Sequence, residues 1–541
     1  QKSYSQEVEA RISYAKTFKK IHNINLMAAS TFTDDNSEQY WFAMDNYGDD
    51  NVQNGIWQGT EPYARNPKDG YSYGAVMLSF LGRAEYKLLN RYILNATVRT
   101  DGSSKFSPKN RWGTFPSFAA AWIVSEEKFV KEHMPWLTFF KLKGGWGMVG
   151  NGWVTEYGWR TMFENTEYMG NPGFVPSQMG NDELKWESTK AWDVGFEFGL
   201  LPNQRIRGSL GYYMKKTDGL LYDMTMAPST GMTTTKVNYA NIENRGIEFD
   251  VTANIISTTD WAWSMSFNIT KNKNKVTHID SDLVSSSGTS MLTNTVIMEG
   301  KSLGLIYGFE TDGVFRTQEE IDYYESLNPD HSYQNGTTGR VTIPGDLKYV
   351  DQNGDGWVDI ATTSKTDRAI LGCSRPDFEG GLSTRLSWKG LTLNIQTSFA
   401  YGHQKLWQAY AEQFQFNSFE PKNLLSIALD RWTPENPDAT APCMRLNKYQ
   451  NETVDFAVFD ASYWKIQNVS LEYRLPQSWM RRTRVFNSVV IGASVNNLAT
   501  FTSYPGPSPE SFSANMIQGG SIDYGTYPTT RTYNFSIKVS L

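Results

Sequence analysis

Apolar and polar residues alternate with period two along most of this chain. In TYNFSIKVSL, Tyr533, Phe535, Ile537, Val539 and Leu541 share one face, and Thr532, Asn534, Ser536, Lys538 and Ser540 the other. WAWSMSFNIT sets Trp261, Trp263, Met265, Phe267 and Ile269 against Ser264, Ser266, Asn268 and Thr270. LTLNIQTSFAYG repeats the pattern with Leu391, Leu393, Ile395, Phe399 and Tyr401 against Thr392, Asn394, Gln396 and Ser398. Period two predicts strands. Soluble strands usually run about five or six residues. These runs reach about ten, the length of a tilted strand that crosses a membrane.

The pattern predicts fifteen strands, near 6–18, 23–36, 71–87, 91–101, 111–124, 137–150, 184–199, 205–217, 241–256, 261–273, 377–389, 391–403, 461–475, 485–499 and 531–541. Short connections (19–22, 200–204, 257–260, Gly390) alternate with long ones (43–70, 151–183, 218–240, 404–460, 500–530). Outer-membrane barrels show this asymmetry, with tight periplasmic turns and long external loops. Parity then makes residues 274–376 one external excursion, between barrel strands in 1–273 and in 377–541. Fifteen strands alone leave two open edges, so further strands are expected upstream. The start, QKSYSQEVEARISYAK, lacks an initiator Met and a leader pattern and reads as the later part of a longer protein.

Composition narrows the function classes. The 541 residues carry 51 basic and 57 acidic side chains, net −6, so no basic face points to nucleic acid. No run of apolar residues is long enough for a membrane helix. Two cysteines, Cys373 and Cys443, exclude a disulfide scaffold and leave a chance pair or two free thiols open. Aromatic residues make up 14% of the chain. They cluster in the long connections at Trp57 and Tyr63, at Trp153, Tyr157 and Trp159, and at Trp407, Tyr410, Phe414 and Phe416. An aromatic face can stack on a sugar ring or anchor a protein interface. We take Trp153, Trp159, Trp407 and Tyr410 as candidate substrate or partner residues, the last two favouring contact with a protein partner or loop packing. Trp186, Trp261 and Tyr473, near strand ends, are expected in a membrane-interface girdle. Asn268, Asn394, Gln396 and Asn534 are expected to face the lumen.

Enzyme signals are weak. GYSYG (Gly70 to Gly74) fits a nucleophile elbow by letter, but the strand–turn–helix context is missing. The five histidines have no zinc spacing. One metal signal stands out. YVDQNGDGWVD places Asp351, Asn353 and Asp355 at alternate positions, then Gly356 for a sharp turn and Asp359. Hard oxygen ligands at that spacing suit calcium, although position 12 is Thr362 and no flanking amphipathic helix suggests a sensor. The bland alternative is an Asn-Gly turn with solvated acids and no ion.

Eight blocks resemble SusC-like (SusC/RagA-type) TonB-dependent transporters, in the family's order and over most of the chain. They are DGSSKFSPKNRWGTFPSFAAAWIVSEEKF (101–129), LKWESTKAWDVGFEFGLL (184–201), NIENRGIEFDVTANI (241–255), YGFETDGVFRTQEEI (307–321), PGDLKYVDQNGDGWVD (344–359), RWTPENP (431–437), DASYWKIQNVSLEYRLP (460–476) and DYGTYPTTRTYNFSIKVSL (523–541). The resemblance implies an all-β fold, a transmembrane barrel of 22 strands with a plugged lumen, of which about fifteen lie in this chain. It implies an outer-membrane location, lipid around the barrel, a SusD-like lipoprotein lid, a dimer of transporter–lid pairs, and energy from TonB. The plug and the TonB box are absent from this sequence. It also implies an Asp-Arg pair after the calcium-type loop. Here that pair is Asp367-Arg368, displaced by TTSKT, so the ligand set becomes Asp351, Asn353, Asp355, Asp359, the Trp357 carbonyl and Asp367. The family usually ends on an aromatic residue, whereas this chain ends on Leu541, which would weaken the insertion signal. The expected function is import of an oligosaccharide, with oligopeptide as second cargo, and no enzymatic activity. The competing class is a secreted, calcium-stabilised β-sandwich that binds or hydrolyses glycans.

Overall fold

The structure, a computed structural model, describes residues 2–40, 44–45, 61–62, 70–169, 171–225, 231–232, 234–279, 283–286, 293–331, 333–335, 341–360, 367–414, 423–444, 452–483, 485–511 and 522–540. Long alternating segments become long strands: β1 (Lys2–Phe18), β2 (His22–Tyr40), β3 (Gly70–Leu88), β4 (Tyr92–Ser103), β5 (Trp112–Ile123), β6 (Leu137–Asn151), β7 (Glu187–Leu200) and β8 (Ile206–Thr225). β9 (Thr234–Ser257), β10 (Trp261–Ile279), β11 (Phe378–Trp388), β12 (Leu391–Tyr401), β13 (Tyr463–Arg474), β14 (Ser488–Thr502) and β15 (Thr532–Ser540) complete the set. They form one sheet in strictly sequential order from β1 to β15. Every expected strand is present. β8 and β9 run further than expected and shrink the connection 218–240 to 226–233. Side chains carry that ladder outward: the Asn238 amide donates to the Lys185 and Gly219 carbonyls, both within 2.9 Å.

Sequential antiparallel order puts alternate connections at the same edge of the sheet. One edge holds the tight ones, such as 19–21, 89–91, 258–260 and 389–390. In Lys389-Gly390 both residues take positive φ, as a two-residue hairpin turn requires. A Cβ on Gly390 would stand 2.7 Å from the Arg474 carbonyl, so only glycine fits. The same edge carries two helices that period two could not foresee, Lys128–His133 and Gln477–Thr483. The other edge carries 41–69, 152–186, 280–377, 402–462 and 503–531.

Burial is inverted relative to a soluble sheet. Leu94, Val98, Phe118, Trp192, Val194, Phe535 and Ile537 are exposed large apolar residues of the strands. Their neighbours on the opposite face include Asn95, Thr97, Arg99 and Asp101, and Asn394 donates to Ser470 at 3.1 Å on the polar face of β12 and β13. An apolar surface this extensive calls for an apolar solvent. Among the described residues no helix is long and apolar enough to cross a membrane, which says nothing of strands.

By packing, the chain divides into two compact units: Gln1–Phe198 with Gly211–Asn244, and Gly199–Leu210 with Arg245–Leu541. The first holds a small cluster of Phe106, Val154 and Leu184. The second holds a core of the soluble kind, built from three long connections at once. Ile306, Phe309, Phe315, Tyr333, Leu347, Tyr349 and Val358 come from 280–377, Leu406, Ala411 and Val454 from 402–462, and Ile522 from 503–531. Short strands tie them together: Gln404–Trp407 pairs with both Val458–Asp460 and Ile522–Asp523. The helix Gln318–Glu325 starts where Thr317 accepts from the Glu320 N–H at 3.3 Å, while Glu320 accepts from the Arg316 N–H at 2.9 Å. This variant of the capping box turns Ile321 into the core.

Candidate functional site

The calcium-type loop hangs between two core strands, Leu347–Tyr349 and Val358–Asp359. Its shape follows from short acidic side chains folding back on their own backbone. Asp351 accepts from the N–H groups of Asn353 (3.2 Å), Gly354 (2.7 Å) and Gly356 (2.8 Å). Asn353 accepts from the Asp355 N–H at 2.7 Å, and Asp355 from the Trp357 N–H at 3.2 Å. Gly356 has φ +88, and a Cβ there would lie 2.9 Å from the Leu327 carbonyl. The Trp357 ring stacks on His331 with centroids 4.4 Å apart.

Asp367 returns to this loop despite its displacement in sequence. Its Oδ2 accepts from the Asp359 N–H at 3.0 Å. Its side chain is 2% exposed, and Oδ1 is buried without a hydrogen-bond partner. Burial pushes its carboxyl above the usual carboxylate range, and the charges of Asp351 and Asp355 push the same way. So three of the expected ligands, Asp351, Asp355 and Asp367, feel one another. Asp359 acts on Arg368, whose guanidinium stands 4.4 Å over the Phe309 ring. Among the described residues, no three His, Cys, Asp or Glu side chains already converge as a metal cage. Thr362 lies outside the described residues.

The four candidate contact residues divide into one exposed and three packed. Trp153 is 82% exposed. It borders a cavity of about 620 Å³ on the polar face, whose lining includes Asp35, Thr97, Arg99, Asp101 and Lys105. Arg99 and Asp101 pair at 2.8 Å there, and Lys105 pairs with Glu156 at 2.9 Å. Trp159 instead packs on the Phe106 cluster, with Arg160 4.7 Å over its ring. Trp407 and Tyr410 stack on each other at 5.3 Å, with Phe459 edge-on to both. Beneath them Lys405 is buried, its ammonium donating to the Pro509 (2.6 Å) and Ser511 carbonyls. Burial pushes that lysine down to about 8, against the pull of Asp523 and Glu510. Sequence reasoning missed Lys405, because a lone lysine in a loop carries no periodic signal.

One other expectation changes. Trp186 is no girdle residue: it packs on Phe106 at 4.8 Å and donates to the Arg111 carbonyl at 3.0 Å. Trp261 stacks on Trp388 at the tight-turn edge. Ser72 of GYSYG pairs with Glu38 inside the β2–β3 ladder, far from any strand–turn–helix junction. Trp57, Tyr63, Phe416 and Leu541 lie outside the described residues, as does the Phe414 side chain.

Comparison with known proteins agrees with this architecture. The family described as TonB dependent receptor-like, beta-barrel matches residues 3–368. TonB-dependent receptor P3 of Formosa agariphila is 30% identical over 477 residues, covering 86% of this chain and 45% of that protein. TonB-dependent receptor SusC of Bacteroides thetaiotaomicron is 29% identical, covering 88% of this chain and 45% of its own length. The chain thus spans about half the length of the curated relatives it matches. In three dimensions it is similar to the RagAB peptide transporter, with a TM-score of 0.80 at 20% identity, covering 99% of this chain and 55% of the other. A single sequential sheet with its apolar face outward and long connections at one edge is the barrel wall of such proteins. The chain belongs to the TonB-dependent receptor β-barrel family of the outer membrane.

Proposed function

We propose that this chain is the C-terminal barrel portion of a TonB-dependent importer. Its cargo is an oligosaccharide too large for passive porins, with oligopeptide as the second class. The observation that carries this reading is the contrast between the two faces of the chain's work. A sheet exposes its apolar side to lipid, while at its other face Trp153 stands exposed beside a cavity lined by Thr97, Arg99, Asp101 and Lys105 among apolar residues. An exposed indole beside such a cavity suits a bulky ligand held in water. A SusD-like lipoprotein closes over the long connections, and the Trp407–Tyr410 stack braces the surface it meets. TonB, acting through plug and TonB-box residues of a longer polypeptide, then empties the cavity inward. Two such transporter–lid pairs assemble as a dimer.

The test is calorimetric titration of the full-length receptor, co-purified with its lid, against an oligosaccharide pool and a peptide pool. Oligosaccharide heat is expected, and Trp153→Ala weakens it about tenfold, the loss of one stacking contact worth about 1–1.5 kcal/mol. Heat from peptides alone would shift the cargo to the second class. Heat from neither pool, with no lid co-purifying, would sink the reading.

The calcium assignment concerns the connection 280–377, within the second compact unit. Asp351, Asp355 and Asp367 supply carboxylates, Asn353 and the Trp357 carbonyl neutral oxygens, and Asp359 a further acid, a donor set of the hard kind calcium takes. Support comes from the buried Oδ1 of Asp367, which has no hydrogen-bond partner, and from the charges of Asp351 and Asp355 acting on that carboxyl, which a cation would relieve. The ion would stiffen the connection between the strands Leu347–Tyr349 and Val358–Asp359. Asp367→Asn is expected to raise the calcium dissociation constant about tenfold or more in the full-length receptor. Wild-type protein that shows no calcium heat at millimolar concentration would remove the site.

A further inference from the structure

One of the long connections turns back on the sheet. Just beyond β14 the chain reads YPGPSPE (504–510), with proline at 505, 507 and 509. Proline fixes φ and offers no N–H, so this stretch is stiff and cannot extend the strand ladder. Its first residue is anchored. The Tyr504 hydroxyl donates to Asp523 at 2.8 Å, and its ring lies 6.4 Å from Phe459. Its last residue, Glu510, forms an ion pair with Lys465 of β13.

Lys465 belongs to the polar face, because its neighbour Trp464 stacks on Phe501 on the apolar one, both rings exposed. It stands opposite Thr500 of β14, so Glu510 folds back over strands that the chain has already left. A second lysine holds the same stretch from another connection. The Lys405 ammonium donates to the Pro509 carbonyl at 2.6 Å and to the Ser511 carbonyl. Between these bonds Ser508 and Pro509 are buried. Residues 504–511 are thus a proline-stiffened tongue, pinned over the polar face of β13 by two ammonium groups.

We infer that this tongue is a gate on the cargo's route along the polar face, latched shut in this structure by Lys465 and Lys405. Such a gate presupposes the importer reading and adds its moving part. Both lysines give up water to hold the tongue, each being 4% exposed. Burying a charge costs nearly as much as its new bonds return. Lys405 touches two neutral carbonyls in exchange, and burial loosens its hold on its proton. Lifting the tongue breaks those bonds and returns both charges to water, so the closed and open positions lie close in free energy. The prolines let the stretch swing as one piece. A static brace would rest on apolar packing, which carries no such penalty.

The test uses the full-length receptor with its lid, carrying Cys373→Ser and Cys443→Ser. Ser508→Cys reports the latch in whole cells: a membrane-impermeant maleimide labels this buried position slowly, and adding Glu510→Gln speeds labelling about tenfold. Heat-modifiable migration on gels confirms that each variant is folded. Lys465→Cys with Glu510→Cys reports the gate. Joined by a bifunctional methanethiosulfonate, this pair should still bind the oligosaccharide pool, while uptake of the labelled pool falls about tenfold and a reductant restores it. Labelling that Glu510→Gln leaves unchanged would overturn the latch. Undiminished uptake by the cross-linked pair, or a loss that the reductant fails to reverse, would overturn the gate. A wild-type receptor that takes up nothing from the pool would count against the importer reading, whereas the labelling rates need no cargo and judge the latch by themselves.

Discussion

Val98→Arg is expected to cost about 2–4 kcal/mol when the full-length receptor refolds from urea into lipid vesicles, whereas Thr97→Arg, one residue away, costs little. Val98 sits midway along β4, exposed on the apolar face, so an arginine there must be carried through the hydrocarbon interior. Thr97 points to the polar face, where it lines the cavity beside Arg99 and Asp101. The size of the difference matters more than either value. A one-residue slip of β4 would exchange the two faces and reverse the outcome, so the pair reads the register directly. Equal costs for the two variants, measured as the shift of the urea midpoint, would show that neither face meets lipid.

Phe309→Ala is the second large effect, about 3–5 kcal/mol, and it should fall on the layer built from the long connections alone. The Phe309 ring is fully buried among residues of two long connections and lies 4.4 Å under the Arg368 guanidinium. Its backbone is tied to Thr453 as well, the N–H donating to that carbonyl at 2.8 Å. Truncation leaves a cavity beneath a cation that loses its aromatic face. Heat-modifiable migration should persist, because the strands do not depend on this core. Hydrogen exchange in 305–360 and 452–460 should accelerate together. Acceleration confined to 305–360 would mean that the connections fold independently of one another.

The sheet was legible in the sequence because a membrane strand obeys one rule for its whole length. Lipid on one side and a polar interior on the other force strict alternation, and WAWSMSFNIT or TYNFSIKVSL records it residue by residue. The layer built from the long connections was not legible for the opposite reason. Its core joins Ile306 to Leu406 and Ile522 through strands of two to five residues, too short for any period to emerge. The helix Gln477–Thr483 was missed because seven residues flanked by tight connections hold barely two turns. The calcium-type loop was visible from its Asp-Asn-Asp spacing, and the expectation that Asp367 closes it came from the family resemblance. That Asp367 would be buried, with one oxygen unpartnered, is a tertiary fact that no local spacing encodes. Trp153 and Trp159 looked equivalent as letters, and only packing separates an exposed indole from a partly buried prop.

The shared core of the three long connections bears on how such receptors diversify. Loops with separate cores can be exchanged one at a time between relatives, each trading specificity without harm to the rest. Here 280–377, 402–462 and 503–531 meet in a single set of buried contacts, so a transplant of one arrives without its fit to the other two. The heritable unit of this layer is therefore the trio. Recombination between relatives should leave viable chimeras only when its breakpoints carry all three together, and drift in any one of them should be matched by drift in its companions.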